Sequence, residues 1–104
     1  MTRPYDSETM AYLAERLVAG RHLIPLHMVR GVENYFLRGI PPGGFLTALL
    51  CNDLMGAFAK GDDDNLAAMH GWARFLYNYA PSGSFGSPAN FDAWLAKFAE
   101  PVAA

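Results

Sequence analysis

An all-α domain, a compact bundle of about five helices, is what the sequence predicts, and three observations carry that expectation. Apolar residues recur at three- and four-residue steps along nearly the whole chain. Glycines and prolines fall at helix-scale intervals. No segment alternates polar and apolar residues as a half-buried strand would. With 104 residues the chain has material for a single core and too little for two. Residues 1–104 therefore read as one helical domain.

Asp6 and Ser7 can each cap a first helix. Met10, Leu13, Ala14, Leu17 and Val18 share one face of it, and Gly20 is placed to end it. Pro25 suits the first turn of a second helix, with Met28, Val29, Val32, Tyr35 and Phe36 inward and Gly39 as its stop. A third helix begins after Pro42. Phe45, Leu46, Leu49, Leu50, Leu54, Ala57 and Phe58 form its wide apolar face, interrupted by Asn52 and Asp53, and Gly61 ends it. The run Asp62-Asp63-Asp64-Asn65 supplies a cap and negative charge where the dipole of a fourth helix favours both. That helix carries Leu66, Met69, Trp72, Ala73, Phe75, Leu76 and Tyr79, and Pro81 terminates it. Residues 82–86 are a loop. Ser87-Pro88 then opens a last helix bearing Phe91, Trp94, Leu95 and Phe98. Residues 1–20 read as an added N-terminal helix, and residues 100–104 as a frayed tail.

Apolar residues make up 52% of the chain and charged residues only 17%. A monomer of this size has too little interior to hide so much apolar surface, so a homo-oligomer is expected. The net charge of −2 and the scattered arginines leave no electrostatic footprint for nucleic acid. No run approaches a membrane span, and the first residues lack the plan of a signal peptide. The single Cys51 allows no disulfide framework, which fits a reducing cytoplasm.

Catalytic constellations are absent from the sequence, so neither an enzyme nor a cofactor is expected. His22, His27 and His70 have no metal-ligand spacing, and the aspartate run lacks the pattern of a calcium loop, so no metal site is expected either. Cys51, between Leu50 and Asn52, reads as core. Three polar features stand out instead. The corner Gly39-Ile40-Pro41-Pro42-Gly43-Gly44-Phe45 joins two helices. Gly43 and Gly44 leave bare N–H groups at the start of the second helix, with Arg38 just before the corner and Arg30 two turns back. That arrangement serves either as an anion seat or as a close helix–helix approach. Asn52-Asp53 interrupts an apolar face, Asn52 as an amide for a base or ribose and Asp53 as a pin for a helix terminus. Tyr77 and Asn78 precede Pro81, where a ring can stack on a flat heterocycle or pack in the core. The expectation is that Asn52, Tyr77 and Asn78 converge on the Gly39–Phe45 corner.

Ile24-Pro25-x-His27-Met28, Gly39-Ile40-Pro41-Pro42-Gly43-x-Phe45-Leu46, Asn52-Asp53-Leu54 and Tyr77-Asn78-x-x-Pro81 with Gly86-Ser87 resemble a family of small phage and prophage proteins. The resemblance covers roughly residues 24–95. A phage origin implies kinship in purpose with compact oligomeric phage proteins that trap cyclic nucleotide or cyclic ADP-ribose-type immune signals. On that footing the chain is expected to sequester a small nucleotide-like ligand at a subunit interface, without converting it. Arg38, Gly43, Gly44, Asn52, Tyr77 and Asn78 would hold the ligand, supported by His27 and Arg30. The alternative is a protein-interaction module that inhibits or adapts a host protein, anchored by Trp72 or Trp94 with Phe75 and Phe98. A nucleotide-degrading enzyme using His27 or Asp53 is a third reading.

Overall fold

The structure is a computed structural model and describes residues 5–99. Seven α-helices and no strand occur among the described residues. They are α1 (Ser7–Gly20), α2 (Val29–Arg38), α3 (Gly44–Leu50), α4 (Leu54–Lys60), α5 (Asp63–Ala67), α6 (Met69–Tyr79) and α7 (Pro88–Ala99), with 3₁₀ turns at Arg21–Leu23 and Leu26–Met28. The all-α expectation holds. The count of five does not, because two of the expected helices are broken.

The expected third helix breaks at Asn52-Asp53. Asn52 takes a left-handed conformation, φ 62°, which asparagine tolerates better than most residues. Its N–H donates to the Leu49 carbonyl and that of Asp53 to the Ala48 carbonyl, closing α3. Asp53 then caps α4 by accepting the Gly56 N–H at 2.9 Å. The polar pair therefore ends one helix and starts the next, and Asp53 pins its own helix rather than a distant one. The expected fourth helix divides at Ala68, which separates α5 from α6. Asp62 caps α5 through the Asn65 N–H at 2.8 Å.

Other signals behave as expected. Asp6 caps α1 through the Thr9 N–H, and the Ser87 hydroxyl accepts the Asn90 N–H at the start of α7. Gly39 ends α2 at φ 65°, with the Ile40 N–H returning to the Asn34 carbonyl. Gly20 is the last residue of α1, as expected, but without a left-handed cap. It stays right-handed, and its bare Cα lets Tyr79 and Phe75 approach. Pro25 caps a 3₁₀ turn, and α2 begins only at Val29. The tail expected to fray, residues 100–104, lies outside the described residues.

The core is aromatic and falls into two sets. Tyr35 and Phe36 of α2 meet Phe91 and Trp94 of α7, where Trp94 also meets Phe98, and Tyr35 is stacked on Phe91 at 5.3 Å. Phe45 of α3 meets Trp72 of α6, which continues through Phe75 to Tyr79. Each buried polar tip in these sets is paired, as burial demands. The Tyr35 hydroxyl donates to the Ser84 carbonyl at 2.7 Å, holding the loop before α7. The Trp72 indole N–H donates to the buried Asn65 side chain at 3.3 Å.

Val18, Leu54, Phe58 and Ala73 were expected inside and are exposed. For Leu54 and Phe58 the reason is the break at Asn52-Asp53, which redirects α4 and leaves Ala57 as its one buried residue.

Asp62 links the fold to pH. Its carboxyl is held below the ordinary carboxylate range, first by the Asn65 N–H and then by His27, whose Nε2 lies 2.9 Å away. A depressed folded value means that this stabilisation is present above pH 3.8 and is lost as pH falls through the lower folded value. Asp62→Asn keeps a capping side chain and removes the ionisation. The melting temperature of this variant is expected to fall less on acidification below pH 4 than that of the parent chain, measured by circular dichroism.

Candidate functional site

The eight residues singled out from the sequence lie on four different surfaces. Asn52, Tyr77 and Asn78 do come together, lining a groove of about 830 Å³. Gly43 and Gly44 line a separate cleft of about 300 Å³ with Lys60 and Asp62. Arg30 and Arg38 share a third surface on α2 with Glu33 and Asn34. His27 lines a fourth hollow beside Ile24 and Asp64, and its ring is engaged by Asp62. Convergence of Asn52, Tyr77 and Asn78 on the Gly39–Phe45 corner does not occur within one protomer. The helix launched at Gly44 is the reason: it carries the chain roughly 10 Å along its axis before Asn52 is reached.

Within the corner the tightly packed glycine is Gly39, where a methyl group would run into the Phe98 side chain. A methyl group at Gly43 would meet nothing within 4 Å, and at Gly44 only the flexible side chain of Lys60. Gly43 and Gly44 are thus not needed for close helix approach. Helix α3 is two turns long, and no side chain caps it. Arg38 is turned to its own helix, donating to Asn34 Oδ1 at 2.9 Å.

The groove with Asn52, Tyr77 and Asn78 is lined by residues of α4 and α6. Helix α4 supplies Leu54 and Phe58, α6 supplies Met69, His70, Ala73, Arg74 and Tyr77, and Phe85-Gly86 closes one end. Leu49 and Leu76 form part of its floor. The sequence builds it simply. On α6 the residues Met69, Ala73 and Tyr77 recur every fourth position, on the face beside that of the buried Trp72, Phe75 and Leu76. On α4 the run Leu54-Met55-Gly56-Ala57-Phe58 is apolar on every side, so a helix that buries only Ala57 must leave the rest outside.

Exposure here is high. Tyr77 is 85% exposed, Met55 76%, Leu54 58% and Phe58 45%. Sequence reading placed Leu54 and Phe58 in the core and passed over Met55. An αL-tolerant Asn-Asp pair inside a helical pattern was the signal that could have found them. The groove carries two basic side chains, His70 and Arg74, and no acid lines it. Asn78 is partly committed: its amide donates to the Arg74 carbonyl, and its own carbonyl accepts from the Arg16 guanidinium.

Trp72, Trp94 and Phe75 are fully enclosed and Phe98 is buried, so the anchors first considered for a protein partner are core residues. Cys51 is partly buried, and burial pushes its thiol up, with the carboxylates of Asp92 and Asp53 adding to the effect. Among the described residues no three His, Cys, Asp or Glu side chains are grouped to hold a metal ion, and no helix is long and apolar enough to cross a membrane. No family model, curated protein or solved structure matches the chain.

Proposed function

We propose that this chain is a non-catalytic protein-interaction module that receives an amphipathic helix in the groove between α4 and α6. One observation carries the reading. Leu54, Phe58 and Tyr77 are large, exposed and gathered around a single concave surface. Soluble chains scatter such side chains singly, and a contiguous patch around a groove marks a contact surface. Each of these side chains gains about 1.5–3 kcal/mol when fully buried, so a few of them suffice to anchor a partner. His70 and Arg74 on the wall select a helix whose apolar face is flanked by carboxylates. In a phage setting this is an inhibitor or adaptor acting on a host protein.

The test is retention from host lysate by the parent chain and by Phe58→Ser side by side, with circular dichroism confirming the fold of both. A protein held by the parent and reduced at least about tenfold by Phe58→Ser supports the reading. Equal retention by both overturns it.

A second reading is favoured by the grouping of Asn52, Tyr77 and Asn78 with Arg74 and His70. It is a phage anti-defence protein that sequesters a nucleotide-derived immune signal without converting it. Tyr77 would stack on the base, the amides would take its edge, and the Arg74 guanidinium with the His70 ring would take phosphate. Native mass spectrometry with cyclic dinucleotides and cyclic ADP-ribose separates the readings. A retained nucleotide that Tyr77→Ala loses supports sequestration, and the absence of any retained nucleotide rejects it.

A further inference from the structure

We infer that the helix received by the α4–α6 groove is α1 of a second copy of this chain, an inference that rests on the groove's being a helix-docking site. The outer face of α1 has the required chemistry. Glu8, Ala11, Tyr12, Glu15, Val18 and Ala19 fall on one side of the helix, opposite the buried Met10, Leu13, Leu17 and Gly20. Four of those six are apolar or aromatic and two are acidic, and Tyr12 and Val18 are 62% and 48% exposed. The groove offers the complement, an apolar floor with His70 and Arg74 and no carboxylate. Neither Glu8, Glu15 nor Arg74 has an ion-pair partner among the described residues.

The distribution of exposed apolar side chains points the same way. Of the nine large exposed ones among the described residues, five lie on these two surfaces: Tyr12 and Val18 on α1, and Leu54, Phe58 and Tyr77 at the groove. Joining the surfaces would therefore cover most of what the monomer leaves in water. Spacing is compatible. Glu8 and Glu15 lie about 10 Å apart along α1, and His70 and Arg74 about 6 Å apart along α6, a difference that long side chains span.

A protomer cannot fill its own groove. Its α1 already lies on the other flank of α6, where Gly20 meets Tyr79 and Phe75. Arg16 binds the Asn78 carbonyl there and sits 4.9 Å from the centre of the Tyr79 ring. The contact is therefore between molecules. Reciprocal exchange of α1 closes a two-fold dimer, and one-way exchange builds a ring.

A charge-swap cycle followed by sedimentation equilibrium tests the contact. Glu15 and Arg74 are both on the surface of the protomer, so their substitution spares the core. The parent chain is expected to self-associate. Glu15→Lys and Arg74→Glu should each weaken association about tenfold or more at low salt, and the two together should restore most of it. A monomeric parent chain, singles without effect, or a double variant no better than the singles overturns the inference. Phe58→Ser separates this failure from that of the underlying reading. Association lost with Phe58→Ser but indifferent to Glu15→Lys keeps the groove as a docking site and removes α1 as its occupant. Association that survives Phe58→Ser lies outside the groove and overturns the inference, while lysate retention decides the groove's reading.

Discussion

Trp94→Ala is expected to cost about 3–5 kcal/mol, the largest effect of any single substitution considered for this chain. Trp94 is completely enclosed and touches Phe36 and Phe98 edge-on, at 6.4 and 5.7 Å between ring centres. Its indole N–H donates to the Tyr35 carbonyl at 3.1 Å. Truncation removes the apolar transfer gain and leaves a cavity where α7 is fastened to α2. The loss is a large fraction of what a domain of this size has, roughly 5–15 kcal/mol. Trp94→Phe keeps most of the ring and loses the hydrogen bond. The Tyr35 carbonyl still accepts the Gly39 N–H at 3.2 Å, so no buried acceptor is orphaned. That variant should lose only about 1–2 kcal/mol. Urea denaturation checks both, and an alanine variant as stable as the phenylalanine one would contradict the packing described.

Gly71→Ala and Gly31→Ala are expected to move stability in opposite directions, although both add one methyl group to a helix. A Cβ at Gly71 would run into the backbone carbonyl oxygen of Leu23. That oxygen belongs to the 3₁₀ turn after α1 and cannot swing aside like a side-chain end, so α6 or the turn must shift. A cost of about 3 kcal/mol is expected. A Cβ at Gly31 of α2 meets nothing within 4 Å. There the helix gains the usual advantage of alanine over glycine, about 0.5–1 kcal/mol. Thermal melts should separate the two variants by on the order of 20 °C for a domain of this length. A stable Gly71→Ala variant would show that α6 does not approach the turn this closely.

How far the sequence could be read depended on how local each signal was. Asp6, Ser87-Pro88 and Gly39 act within one helical turn, and the structure uses each as its residue type requires. Gly71 was not singled out, because its constraint comes from Leu23, far away along the chain. Gly43-Gly44 drew attention as an unusual string, yet their surroundings are open or flexible. Asn52-Asp53 was recognised as odd inside an apolar helix. What was missed was that its polar groups are satisfied by the backbone around it, as a stop and a start.

The same division holds for the candidate site. Asn52, Tyr77 and Asn78 were marked by composition, and the fold does gather them in one groove. Arg38, Gly43 and Gly44, with Arg30 and His27 as supporting candidates, lie elsewhere. The sequence alone determined an all-helical chain, most of its caps and an excess of apolar residues, because periodicity, capping and composition are properties of short segments. Only the tertiary structure decided which apolar residues stay outside. Burial is a competition among all helices for one small core, and α4, turned aside by two polar residues, lost it.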